Sequence, residues 1–146
     1  MTIGKLDVCG QSTKNGKQTN ASRQYKLSDI QGMWLCTNQY DEKTGEMIPI
    51  KTEGKFGYGF TDTKSNGMPI AFYKSHTVDF TFVYSLKGQT IYLYEIHNRN
   101  TIFTTIKITS LKQNQEMTGV IKQNVLGEMI PIGKYVFSHL DDEDEE

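Results

Sequence analysis

Ile30-Gln31-Gly32-Met33-Trp34-Leu35-Cys36-Thr37-Asn38-Gln39-Tyr40 contains the chain's single tryptophan and governs how its neighbours are read. Just upstream, Leu27-Ser28-Asp29-Ile30-Gln31 offers Ser28 or Asp29 as the N-cap of one short helical turn, since either side chain accepts orphan backbone N–H groups. Gly32 then frees the backbone to become extended, so Trp34 falls on a first strand that follows a plugging turn.

Downstream, strands and turns alternate without a helix of any length. Residues 41–45 are turn chemistry, and Met47-Ile48-Pro49-Ile50 is a short extended segment that Pro49 confines to an edge or a bulge. Lys55-Phe56-Gly57-Tyr58-Gly59-Phe60 alternates aromatics with glycines, which in a strand implies close backbone approach or sharp bending. Residues 62–67 turn the chain into a strand at 68–74. The strongest period-two signal follows, with Val78, Phe80, Phe82, Tyr84 and Leu86 on one face and Thr77, Asp79, Thr81 and Ser85 on the other. Lys87-Gly88 leads into residues 89–98. Asn98-Arg99-Asn100 turns into 101–110, where Ile102, Ile106 and Ile108 alternate with polar neighbours, and the last strands lie at 117–123 and 128–138. Successive hairpins make a meander. The expected fold is all-β: a single antiparallel up-and-down β-barrel of about 8 strands, a size whose interior can just hold one small ligand.

The turn leading into Gly32-Met33-Trp34, at the head of roughly 110 residues of strands, resembles the lipocalin and wider calycin group. The resemblance spans about residues 27–140 and extends in particular to the small lipocalin-like domains of bacterial envelope proteins. It implies a lipocalin-like barrel with Trp34 near the closed end and a small apolar ligand inside. The larger lipocalins place an arginine over the motif tryptophan; here the last strand offers Lys134.

Length and composition fit one domain, because 146 residues with 36% hydrophobic content support one modest core. Residues 10–22 have no apolar member except Ala21, and residues 141–146 are all acidic. Neither stretch can offset the entropy of ordering. The chain therefore divides into a flexible, polar and basic segment at 1–24, a barrel at 25–140 and an acidic disordered tail at 141–146. Residues 1–27 carry Lys5, Lys14, Lys17, Arg23 and Lys26 against Asp7, so the two ends oppose each other although the whole chain nets only −1. The intervening body is near neutral, which argues against nucleic acid as a partner, since several phosphates must be met by clustered Lys and Arg.

No apolar run approaches the roughly 18 residues of a membrane helix. Cys9 followed by a polar tether resembles the lipidated start of a mature bacterial lipoprotein. With a longer natural precursor, that would place the domain in the envelope, periplasmic or anchored through Cys9. As the chain stands, Leu6-Asp7-Val8-Cys9 puts an acid in the cleavage box and no hydrophobic signal precedes it, which points to the cytoplasm.

Cys9 and Cys36 lack metal-ligand spacing, and His76, His97 and His139 stand apart, so no metal or cofactor is expected. Cys36 reads as a small apolar core residue. Glu95 and His97 share a strand face and could form an acid-base pair at one rim, although solvated rim residues are the commoner outcome. No serine sits in Gly-x-Ser-x-Gly and neither cysteine has a histidine nearby, so no catalytic residue is assigned. The candidate ligand-binding residues are Trp34, Tyr58, Phe82, Tyr84, Tyr92 and Tyr94. The last four group on two neighbouring strands, where each tyrosine pairs an apolar ring with a polar tip. They suit a pocket, and in so small a domain a filled core still better.

Two functions follow. One is a non-enzymatic barrel binding a small, largely apolar molecule. The other is a protein-binding module, an inhibitor or accessory subunit, that keeps a filled core and recognises its partner by outer face, loops and tails. Finally, Gly45-Glu46-Met47-Ile48-Pro49-Ile50 recurs unchanged at 127–132, too far away for a solenoid period. A turn-to-strand entry used twice is the simplest explanation; in a barrel whose last strand closes on its first, the second copy could also lie near the first hairpin, and a self-complementary partner surface is the sharper alternative.

Overall fold

Helix gives way to sheet at Gly32. The turn α1 (Leu27–Ile30) is followed by a φ of +116° at that glycine, and a Cβ there would collide with the His139 imidazole. The computed structural model describes residues 24–51 and 54–140, so the expectations for 1–23 and 141–146, Cys9 included, lie outside the described residues. The cap differs from the expected one. Lys26 is the extended N-cap residue, and Asp29 caps from within the first turn by accepting the Lys26 backbone N–H at 2.8 Å.

Nine strands follow among the described residues: β1 (Gly32–Tyr40), β2 (Met47–Pro49), β3 (Phe56–Ser65), β4 (Met68–Ser75), β5 (Asp79–Lys87), β6 (Thr90–Glu95), β7 (Asn98–Lys112), β8 (Glu116–Val125) and β9 (Glu128–Leu140). They pair in the order β2-β1-β3-β4-β5-β6-β7-β8-β9, and β1 also pairs with β9. Eight strands thus close into an antiparallel barrel consistent with a calycin-like architecture, and β2 is an extra edge. The closing seam runs from Met33 opposite Leu140 to Gln39 opposite Tyr135. Gly57 lets β3 lie close to β1, since a Cβ there would stand 2.7 Å from the Trp34 carbonyl oxygen. All three β2 residues are exposed, and Pro49 sits where its missing donor costs nothing. The two copies of the repeated sextet are paired differently: Met47–Pro49 pair with β1, whereas residues 128–131 pair with β8 and the β1–β9 register ends at Tyr135.

One turn is displaced from its expected place. β6 stops at Glu95, the turn is Ile96-His97, and Asn98 already pairs with Glu95, because register shifts on both sides of Tyr94 absorb extra β7 residues. Arg99, expected in a turn, is a strand residue that donates to the Ser65 carbonyl at 2.6 Å, the Ser65 hydroxyl at 3.0 Å and the Ile96 carbonyl at 3.2 Å. Across the sheet, the shift between Phe60 and Lys64 frees the β3–β4 tip that Arg99 holds. Val83 lies on the outer side of β5 between Ile70 and Tyr94 and has no solvent exposure.

The end of the barrel nearest α1 is filled. Trp34, Phe60, Tyr84, Ile91, Leu93, Ile106, Ile108 and Met117 are buried there and in the body, together with Ile30 from α1. Cys36 is buried as well. The Trp34 indole N–H donates to the Ile30 carbonyl at 2.7 Å, and the Tyr84 hydroxyl donates to the Thr61 carbonyl at 2.8 Å. The Tyr25 N–H, bonded to the Gly88 carbonyl at 2.9 Å, ties the leading segment across this end. The last strand does not bring Lys134 over Trp34. His139 meets the indole edge-on with ring centroids 4.8 Å apart, while Lys134 lies on the outer side, its Nζ 4.7 Å from the centre of the Tyr40 ring.

Candidate functional site

At the opposite end the interior is not filled. Tyr58 of β3, Tyr73 of β4, Phe80 and Phe82 of β5, Phe103 and Thr104 of β7, and Gln123 of β8 line a cup of about 190 Å³. Alternation sends most of these side chains inward, but Phe103 arrives differently. Leu93 pairs with Thr104 and Tyr94 with Ile102, so Phe103 is the extra residue of a bulge and packs against the core beside Thr104. The same bulge puts Ile102 on the Tyr94 side, correcting its expected place beside Ile106 and Ile108. Phe103 stacks on Phe82 with centroids 5.4 Å apart, and Phe80 stacks on Tyr73 at 6.2 Å. Phe56, Tyr58, Tyr135 and Phe137 form an edge-to-face floor.

Phe80 stays on the inward pleat of β5 yet is half-exposed, because β5 begins at this mouth with no further layer above it; Val78, just before the strand, is exposed too. The Thr104 hydroxyl and Gln123 amide form no hydrogen bond with another described residue. Burial sets the electrostatics of the residues in and below the cup. Burial, with Tyr73 and Tyr135 nearby, holds the Tyr58 phenol above its ordinary range, so it stays neutral. Burial likewise pushes the Cys36 thiol up to about 12, which makes it a poor nucleophile.

The structure brings only part of the expected constellation together. Tyr58 and Phe82 line the cup. Trp34 and Tyr84 are core residues outside the cup lining. Tyr92 and Tyr94 are on the outer wall, because Ile91 and Leu93 occupy the interior positions of β6. Register decides this: Tyr84 opposes Leu93, whereas Tyr92 opposes Ser85 and Tyr94 opposes Val83. Outside, the Tyr94 hydroxyl is 3.0 Å from the Ser85 hydroxyl. Sequence reasoning passed over Tyr73, Phe103, Thr104 and Gln123. Tyr73 could have been found from the phase of its strand, whereas Phe103 depends on a bulge that carries no local sequence signal. Glu95 and His97 are exposed and share no hydrogen bond or ion pair. Among the described residues no group of His, Cys, Asp and Glu could hold a metal ion. Among the described residues no helix is long and apolar enough to cross a membrane.

A larger hollow, about 330 Å³, lies on the outer wall with Met33, Leu35, Gly57, Lys55, Lys74 and His76 around it. It is the more open of the two, and the cup is the better enclosed site. No protein-family model matches the chain, and no curated protein matches it.

Proposed function

We propose that the protein is a non-enzymatic, lipocalin-like binding protein that takes a small, largely apolar molecule in the cup. The observation that carries this reading is an aromatic-lined opening containing two polar side chains, Thr104 and Gln123, that are not engaged elsewhere. Size narrows the ligand. A cavity of about 150 Å³ holds a benzene, whereas drug-sized ligands occupy roughly 300–1,000 Å³. At about 190 Å³ the cup suits one or two rings with one polar substituent, and a long acyl chain is too large for it. Calorimetric titration with 2-naphthol and with palmitate tests this. The expected result is saturable one-to-one binding of the naphthol, weakened about fivefold or more by Phe103→Ala, and none of palmitate. Tight palmitate binding, or no response to any ring compound, would overturn the reading. Trp34 fluorescence is expected to be blue-shifted by burial and unmoved by the ligand, since Trp34 does not line the cup.

Leu126 favours the second reading, a protein-binding module. It is fully exposed at the β8–β9 turn with φ +54°, and Gly127 follows at +93°. The β3–β4 turn has the same two-residue geometry, built from Asn66 (+49°) and Gly67 (+91°). Asn tolerates the left-handed region, while for leucine it costs about 1–2 kcal/mol. Met47, Ile48, Val78, Phe80, Val125, Ile130 and Ile132 are also exposed, all on hairpins at the mouth. An apolar rim of this kind supports a partner capping the open end. Leu126→Asn should therefore raise unfolding stability by about 1 kcal/mol in urea. A loss of stability would mean that Leu126 already serves the fold.

A further inference from the structure

The outer wall formed by β5 to β9 carries rows of cations. Register places Lys87, Thr90, Lys107, Val120 and Lys134 on one row across β5 to β9. The next row runs Ser85, Tyr92, Thr105, Lys122 and Pro131. Since Ile91, Ile106 and Ile121 take the interior positions, these lysines point outward, and all four are exposed. Thr90, Tyr92, Thr105, Lys107, Val120 and Lys122 enclose a hollow of about 220 Å³, and the Lys87 Nζ lies 5.8 Å from the centre of the Tyr92 ring at its side. No carboxylate among the described residues is within ion-pair distance of any of these four lysines.

We propose that this lysine wall is the docking surface for the chain's own acidic segment, residues 141–146. Charge complementarity is the first ground: Asp141-Asp142-Glu143-Asp144-Glu145-Glu146 is an unbroken run of six acids, and the wall offers four cations of which two lie over tyrosine rings and none is paired with a carboxylate among the described residues. Continuity is the second. The segment leaves β9 at Leu140, and β9 itself carries Lys134, six residues back along the strand. Six extended residues span about 20 Å, the same length as that stretch of strand. Lys107 stands two strands from Lys134 on the same row, about 10 Å across. The contact is within one molecule, since the segment continues directly from the strand that carries Lys134.

Zero-length carbodiimide cross-linking of the full chain, read by mass spectrometry, tests the contact, and mixing light with heavy-isotope protein separates contacts within one molecule from contacts between copies. The expected result is that cross-links from residues 141–146 concentrate on Lys107, Lys122 and Lys134. Salt at about 0.5 M should cut their yield several-fold, because exposed pairs are screened. The Lys107→Gln/Lys122→Gln double variant should lose those products while keeping its thermal midpoint. Cross-links directed mainly to Lys5, Lys14 and Lys17, or to Lys55 and Lys74, would overturn the proposal, and so would products that mainly join a light to a heavy chain or the absence of any cross-link from the segment.

Discussion

Trp34→Ala is expected to cost about 3–5 kcal/mol of unfolding free energy, the range for deleting a fully buried aromatic side chain. Three losses coincide there. The indole leaves a void among buried side chains, the Ile30 carbonyl loses its buried donor, and His139 loses the ring it meets edge-on. A domain holds only about 5–15 kcal/mol in total, so the variant should unfold at much lower urea than the parent. Thr81→Ala, on the exposed side of β5, should change the midpoint little. Equal effects at the two positions would show that α1 does not seal the barrel as described.

Alkaline pH should unfold the protein steeply. Burial raises the Cys36 thiol from 9.0 to about 12 and the Tyr84 phenol from 10.0 to about 12, and it raises Tyr58 further still. Folded-state pKa values above the unfolded ones mean that the folded chain retains protons which the unfolded chain releases. Stability is then fully present below about pH 8.5, where the unfolded thiol begins to titrate, and falls as pH rises toward 12. Each group removes at most about 1.4 kcal/mol per pH unit within its window. Thermal midpoints followed by circular dichroism from pH 8 upward should fall first with Cys36, near 9, and more steeply above about 10 as the tyrosines join. Cys36→Ala should flatten the first part of that curve alone. An unchanged curve would mean that the thiol is not shielded from water in solution.

Much of the barrel was legible in the sequence because period-two alternation is a local property. Phe82 and Tyr84 against Thr81 and Ser85 needed no knowledge of other strands. The ligand cluster was not legible for the complementary reason. Whether Tyr92 shares a face with Tyr84 depends on pairing register, and a shift of one residue exchanges the two sides of a strand. The bulge opposite Leu93 and Tyr94 defeated the alternation of Ile102 with Ile106 and delivered Phe103 to the cup, a non-local outcome with no marker in the residues themselves. The tryptophan's partner was misplaced in the same way. Lys134 was the nearest match to an expected cation, but only the β1–β9 pairing reveals that His139 is the residue opposite Trp34.

That same seam has a temporal consequence. Every other barrel pairing except β1–β3 is a hairpin between consecutive strands, whereas β1 and β9 join positions such as Met33 and Leu140, more than a hundred residues apart. Hairpins close in about 1–10 μs, but the long loop gains its contacts only after nearly its whole closure entropy has been spent. The meander can therefore assemble early while its two outer strands stay open, each presenting a row of unpaired N–H and C=O groups. During that interval the chain is a sheet with two adhesive edges. The rate at which β9 finds β1, set against encounters with other chains, then determines how much of the protein reaches the closed barrel at high concentration.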